Sequence, residues 1–486
     1  MLYLVGEGYP RGLTWLCEGV YLLFFLADVN PLIPAPPFLN SGDTAWQLTA
    51  GTFVGLQSIP GLAILYAGLV KKKWALNSAV MCFYAFSIVL LTWVLFGYNM
   101  SFGNPWLAIA GNQFLGLPHF ALSPDALIGQ ANIPAAAASL PDLRMPGAAM
   151  IYFQFVFAGI TPLLIAGSVL GRMNFKAWMI FVPLWSTFVY TVGAFSIWGG
   201  GFLAQLGSVD YSGGYVIHLA AGVSGFVAAA MVGARSLADR KDFEPNNLIM
   251  AFAGAGILWL GWNGFNGGDP YFANADAGAA VLNTNVCTAT SLLVWLILDM
   301  FVTKKPNAVS MINGMIVGLV AITPGAGFVD GFGAIVIGLV AGGIAWFSLN
   351  VIGNTPVMRK VDDTFGVLHT HGVAGLTGGL MVGVMANPAM IEYLSTNEKK
   401  TPAFSVQGLM YGGGTKQLLL QLAAAAFIIV YDAVATFIVL KIVSFIVPLR
   451  ASDGDVEGGD LAIHGIDPMP LVIPATNGVR IPTEVR

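Results

Sequence analysis

Three of the chain's five histidines, His218, His369 and His371, lie inside long apolar stretches. Imidazole is the side chain whose ordinary titration falls between about pH 5 and 8, and its ring nitrogens can donate or accept hydrogen bonds. At membrane depth a charged group costs several kcal/mol, so such a residue faces a cavity, pairs with another group, or does both. The plain alternative is a core histidine bonded to a backbone carbonyl. The local contexts favour the functional reading. They are Asp210-Tyr-Ser-Gly-Gly-Tyr-Val-Ile-His218 in one half of the chain and Gly366-Val-Leu-His-Thr-His371-Gly in the other. His369 and His371 are two apart on a helix and point to nearly opposite sides, so only one can face the same lumen as His218. Spacing alone does not say which. A metal site is the rival use of clustered histidines, but no HExxH occurs and no Cys or carboxylate stands at ligand spacing beside them. Cys17, Cys82 and Cys287 are scattered without CxxC spacing and read as packing residues.

Aromatic residues form the second set. Phe153, Gln154 and Phe157 open the third apolar span, Trp198 closes the fourth, and Trp259, Trp262 and Phe265 end the sixth. An interfacial aromatic belt accounts for most membrane tryptophans, and sequence alone favours it here. The sharper reading is a vestibule of ring faces that attracts a small monovalent cation. Asp210, just before the fifth span, reads equally as a helix cap or brace and as a substrate contact. Asp299, Asp432 and Lys441 are expected near span ends or in pairs between helices.

The elements that must hold these groups follow from composition. Only 9% of the 486 residues are charged, 56% are hydrophobic, and mean hydropathy is +0.75. A soluble domain carries about 25% charge, so a soluble enzyme or nucleic-acid binder is disfavoured, and disorder is excluded. A net charge of −4 argues against a polyanion partner. The chain reads as an all-α polytopic protein of a cell membrane. Eleven apolar spans are predicted at 44–69, 75–99, 147–170, 176–198, 213–233, 247–266, 279–303, 308–326, 331–353, 367–387 and 417–447. A shorter stretch at 13–27 contains Glu18 and lacks a basic flank; it reads as an accessory or interfacial segment rather than a signal peptide or span.

Lys71, Lys72, Lys73, Arg172, Lys176, Arg235, Arg240, Lys241, Lys304, Lys305, Arg359, Lys360 and Arg450 all follow odd-numbered spans. The opposite loops carry only Arg144, Lys399, Lys400 and Lys416. The positive-inside rule therefore puts the start of the first span outside and the tail inside. An odd count suggests two inverted five-helix repeats plus a long eleventh helix. The expected divisions are an N-terminal accessory segment over 1–40, a transmembrane domain over 41–448 and a cytoplasmic tail over 449–486.

Several ordered motifs carry a family resemblance. They include Pro60-Gly-Leu-Ala-Ile-Leu-Tyr66, Phe153-Gln-Phe-Val-Phe157-Ala-Gly-Ile-Thr, Trp198-Gly-Gly-Gly-Phe, the Asp210–His218 stretch, Gly261-Trp-Asn-Gly-Phe265-Asn266-Gly-Gly, Thr323-Pro-Gly-Ala-Gly-Phe, and Val361-Asp-Asp363 followed by His371-Gly-Val-Ala-Gly. With them the chain resembles the ammonium transporter family (Amt/Mep/Rh), its MEP-like branch most closely, from about Ser41 to His464.

The resemblance implies that His218 and His371 are the family's twin pore histidines, with His369 an extra one pointing elsewhere. It places an outer ammonium-recruitment site on Phe153, Phe157 and Trp198, and a phenylalanine gate on Phe157 and Phe265. Asp210, Trp262 and Asn266 become pore-lining or supporting residues. Asp269 stands where many members have a serine; its carboxylate would strengthen cation capture or else turn into solvent. The implied mechanism is capture of ammonium, deprotonation near the gate and passage of ammonia through an apolar pore, with net electrogenic uptake. Methylammonium is a possible second substrate. An ammonium sensor or transceptor and an Rh-like neutral gas channel are the competing readings. The resemblance further implies a homotrimer; no cofactor is expected, and the want of a nucleophile or metal constellation argues against an enzyme. Glu457-Gly-Gly-Asp460-Leu-Ala-Ile-His464-Gly resembles the family's tail motif, which contacts a neighbouring subunit, and a PII-type regulator could bind on the inner side.

Overall fold

A computed structural model describes residues 36–137, 140–241, 244–390 and 406–467. The 13–27 stretch, Cys17, Lys399 and Lys400 lie outside the described residues. Among the described residues, ten helices are long and apolar enough to cross a membrane. They are α1 (Ser41–Leu69), α2 (Lys72–Phe102), α3 (Gly147–Val169), α4 (Phe175–Leu206), α5 (Gly214–Val232), α6 (Leu248–Gly267), α7 (Ala275–Val302), α8 (Ala308–Gly325), α9 (Gly331–Ile352) and α11 (Lys416–Ile446). Between the last two lies α10, built from Leu368–Val373 and Ala374–Met385. Two histidines and five glycines dilute its apolar content, and it is not among the ten. The predicted spans thus match helices to within a few residues at most ends, while α4 breaks at 198–201 and resumes as a short helical turn over Phe202–Leu206.

Short polar side chains start many of these helices. Asn40, Asn174, Asn247, Asn274 and Asn307 each accept a hydrogen bond from a first-turn amide, and Asp330 does the same for Gly333. Each satisfies a backbone donor that the helix itself leaves open. One departure from all-helical structure is a hairpin of β1 (Pro105–Ile109) and β2 (Asn112–Gly116). Ala110 and Gly111 turn it with φ of 51° and 82°, the double positive φ of a tight two-residue hairpin turn.

Burial separates an inner set from an outer set. α3 is enclosed almost all round, and α4, α5 and α8 are mostly buried. α2, α7, α9 and α11 present large apolar side chains outward, among them Leu91, Leu282, Phe347 and Phe445. In water that surface would be prohibitive; in lipid it is the expected face. The protein is a multi-pass membrane protein.

The basic loops meet at one end of the bundle. Lys71 and Lys73, after α1, each stand 3.3 Å from Asp239, after α5. Arg235 pairs with Asp362 at 2.8 Å, Arg172 donates to Thr364 and to the Asp362 carbonyl, and Arg450 donates to the Ala234 carbonyl. The described tail folds into α12 (Asp453–Gly458) and α13 (Asp460–His464) against the same end. Asp460 accepts from the Leu76 and Asn77 amides at 2.8 Å each, and His464 Nε2 lies 3.1 Å from Asn77 Oδ1.

Of the three isolated polar residues expected near span ends or in pairs, Asp299 fits: it accepts from Trp346 Nε1 at 2.8 Å, joining α7 to α9. Asp432 does not fit. It is buried at the middle of α11, and neither carboxylate oxygen has a hydrogen-bond partner among the described residues.

Candidate functional site

α5 begins where Asp210 gathers four backbone amides. Its Oδ1 accepts from Gly213 and Gly214 at 3.0 and 2.7 Å, and its Oδ2 from Tyr215 and Val216 at 2.8 and 3.0 Å. Gly213, at φ 112°, supplies the left-handed backbone that turns the chain into the helix. With both oxygens saturated, Asp210 is a brace; its backbone carbonyl also holds Trp198 Nε1 at 2.6 Å. α10 is started from the other end of the bundle by Asp363, whose Oδ2 accepts from Leu368 N at 2.9 Å. Each aspartate precedes its histidine by the same eight residues, Asp210 to His218 and Asp363 to His371. That repeated interval was readable in the sequence but does not by itself say that the two helices meet.

They cross with glycines in contact. A Cβ on Gly222 would lie 2.4 Å from Gly372 Cα, and one on Gly375 would lie 2.4 Å from the Gly214 carbonyl oxygen. This close approach brings His371 Nδ1 to 3.3 Å from His218 Nδ1. Both rings are buried. Two Nδ1 atoms at that distance share one proton, one ring donating and the other accepting. Trp262 stacks on His218 with centroids 5.2 Å apart, and its Nε1 donates to Thr323 Oγ1 at 2.9 Å. His218 Nε2 has no hydrogen-bond partner among the described residues.

The aromatic residues turn inward rather than forming a belt. Phe157 and Phe265 face each other with centroids 4.3 Å apart, and Phe265 lies 5.9 Å from His218. Phe153 and Trp198 flank Phe157 at 4.8 and 6.2 Å. Phe153, Phe157 and Phe265 are fully buried, so the path is closed between them. On one side is a cavity of about 180 Å³ lined by Trp198, Asp210, Tyr211, Asp269 and Tyr271 among others. On the other is a cavity of about 710 Å³ that reaches from Trp262 and His371 to Arg235 and Arg359.

Asp269 is 9% exposed and borders the smaller cavity, so it is not turned into bulk solvent; its Oδ2 has no hydrogen-bond partner among the described residues. Asn266 sits behind the lumen, donating to Thr284 Oγ1 at 2.8 Å and tying α6 to α7. Four contributors were given no role in the sequence: Ser212, which donates to the Phe265 carbonyl at 2.9 Å; Tyr271, which receives Gln154 Nε2 at 2.7 Å; Thr323; and Asp363. All but Asp363 are ordinary polar residues whose importance comes only from what folds beside them. His369 hydrogen-bonds Ser348 and borders the larger cavity together with His371. Among the described residues no group of three His, Cys, Asp or Glu side chains could hold a metal ion.

A closed aromatic constriction with a shared-proton histidine pair behind it, inside a helical membrane bundle, defines a transporter of a small protonatable solute. The chain matches the Ammonium Transporter Family over residues 45–467. It is 53% identical to Ammonium transporter 2 of Arabidopsis thaliana over 439 residues, covering 90% of each chain. Its fold superposes on Candida albicans Mep2 with a TM-score of 0.75 at 28% identity, covering 86% of this chain and 88% of the other. Saccharomyces cerevisiae Mep2 gives 0.73 at 29% identity, covering 86% and 89%. The chain therefore belongs to the ammonium transporter family, consistent with its Mep-like branch, and its function is ammonium transport across the bilayer.

Proposed function

We propose that the Trp198 end faces outward and that ammonium enters the smaller cavity by attraction to the rings of Phe153, Phe157 and Trp198 and to the carboxylate of Asp269. Ring faces and one negative charge replace part of the ion's hydration at modest cost. The Phe157–Phe265 pair then stands between the cation and an apolar lumen in which a bare ion is expensive. At that gate an N–H bond of ammonium breaks, its proton passes to water in the smaller cavity, and neutral ammonia goes on. The twin histidines offer it one acceptor and one donor while keeping a proton between them. Potassium has no proton to give, so selection rests on chemistry as well as size. Net ammonium uptake, with the proton following, is the preferred outcome. The observation that carries this reading is the 3.3 Å contact of His218 and His371 directly behind the paired phenylalanines.

The finer architecture belongs to the same reading. Counting α10 gives eleven spans, and the matching Asp–His intervals on α5 and α10, entered from opposite ends, support two inverted five-helix repeats with α11 added. The clustered basic loops support a cytoplasmic tail. On this reading 1–40 is an accessory segment, 41–448 the transmembrane domain and 449–486 the tail. A homotrimer and a PII-type regulator on the basic face complete it.

The test is ammonium and methylammonium current in proteoliposomes. His218→Ala and His371→Ala are each expected to lower flux by about a hundredfold while the protein stays folded. Unchanged flux and selectivity in both variants sinks the twin-histidine assignment. Flux without current in the wild type sinks net ammonium transfer alone.

A further inference from the structure

His369 is the one histidine at membrane depth that the twin-histidine mechanism does not use. It lies in the first turns of α10, two residues before His371, and borders the larger cavity with Thr370 and His371. Its Nδ1 is 2.8 Å from Ser348 Oγ on α9, which fixes the ring and leaves Nε2 as the free nitrogen. A Cβ on Gly353 would come within 3.1 Å of that Nε2, and Gly353 itself lines the cavity. The ring is thus anchored at one nitrogen and presents the other where the lumen widens.

We infer that His369 is a proton-exchange residue at the inner mouth, returning a proton to ammonia as it leaves the lumen and connecting the twin histidines to vestibule water. The inference rests on the transport reading above. In the step, the Nε2–H bond of the His369 imidazolium breaks and an N–H bond forms on ammonia, giving ammonium and a neutral imidazole. His369 then regains a proton from hydronium in the vestibule, or from the His218–His371 pair through cavity water. No electrons pass to or from another group. A cavity of about 710 Å³, apolar for the most part but with Asn313, Thr364, Thr370 and charged side chains in its wall, has room for the water this needs.

The charge environment suits the role. α8 and α9, which pack against the start of α10, carry no charged residue. α5 contributes His218 and Tyr215, and α10 itself contributes His371. In the preceding loop Asp362 is bound to Arg235, and Asp363 borders the same cavity as His369. Asp363 Oδ1 is buried without a hydrogen-bond partner among the described residues. Farther out on the cavity wall are Arg240, Lys241 and Arg359. Asp363 is therefore the nearby negative charge that an imidazolium here would meet.

The experiment is ammonium current in proteoliposomes with the pH varied separately on each side, over about pH 5 to 8, where imidazole changes charge. For His369→Gln, which can keep the Ser348 hydrogen bond, current should fall at least about tenfold and lose its dependence on cavity-side pH. Its dependence on outer pH should persist. Ser348→Ala keeps the imidazole and removes its anchor; it should displace the cavity-side profile while the protein remains folded. Cavity-side profiles that superpose on wild type in either folded variant overturn the inference. Absence of ammonium current in the wild type would instead overturn the transport reading on which it rests.

Discussion

In the cavity it shares with Trp198 and Tyr271, Asp269 keeps a buried carboxylate oxygen free of hydrogen bonds among the described residues. On the proposed function an arriving cation supplies the partner that oxygen lacks. Asp269→Ser should therefore raise the half-saturating ammonium concentration by about three- to tenfold, equivalent to about 0.6–1.4 kcal/mol, with maximal current unchanged. Concentration-dependent currents measure it, and unchanged uptake at low ammonium disposes of the idea. Asp210 shows the opposite use of the same side chain. Four amides occupy its oxygens, so its removal acts first on the start of α5. Apart from the family resemblance the sequence does not separate these two aspartates, because both stand in glycine-rich segments at span ends. Which one is saturated depends on the local path of the backbone.

At the scale of elements, the transport path depends on α5 and α10 lying close enough for their histidines to touch. Gly222 and Gly372 meet backbone to backbone, with no flexible side chain available to move aside. Gly222→Ala must therefore push the helices apart. It should cost about 1–3 kcal/mol in stability and reduce flux at least as severely as losing one histidine. Thermal unfolding in detergent, read beside proteoliposome current, tests both; a variant with wild-type flux contradicts the packing argument. Many glycines in the two histidine helices were legible as a sign of close packing. That these particular glycines face each other was not, since the facing pair comes from helices about 150 residues apart in sequence.

At the scale of the molecule, the basic end is stitched together by loops from different spans. Burial alone would raise the Asp362 carboxyl. The hydrogen bonds and charge of Arg235, with help from Arg172, outweigh it and bring its pKa from 3.8 down to about 2. A carboxyl lowered by folding stabilises the folded state above its unfolded pKa, and that contribution disappears as pH falls through about 2. Asp362→Asn should therefore lower the unfolding temperature at pH 7, costing on the order of 2 kcal/mol, and flatten the acid side of the stability profile. A thermal melt series from pH 7 to 3 checks the direction; a variant whose loss does not shrink toward acid pH argues against it. The same loops surround the mouth of the larger cavity.

The amino-acid sequence alone determined that this is a helical membrane protein, where its spans run, and which few polar residues lie at membrane depth. Those properties are local: apolar length, helix-starting side chains and the positions of basic loops are all written along the chain. The tertiary structure decided which polar residues meet. It turned the aromatic residues from a plausible belt into a closed constriction, placed His369 against Ser348, and left Asp432 buried at mid-span instead of paired. Family resemblance named His218 and His371 as partners, but their contact comes from two helices entering from opposite ends and crossing at glycines. Such a contact depends on the relative placement of distant segments, and periodicity within either segment carries no information about it.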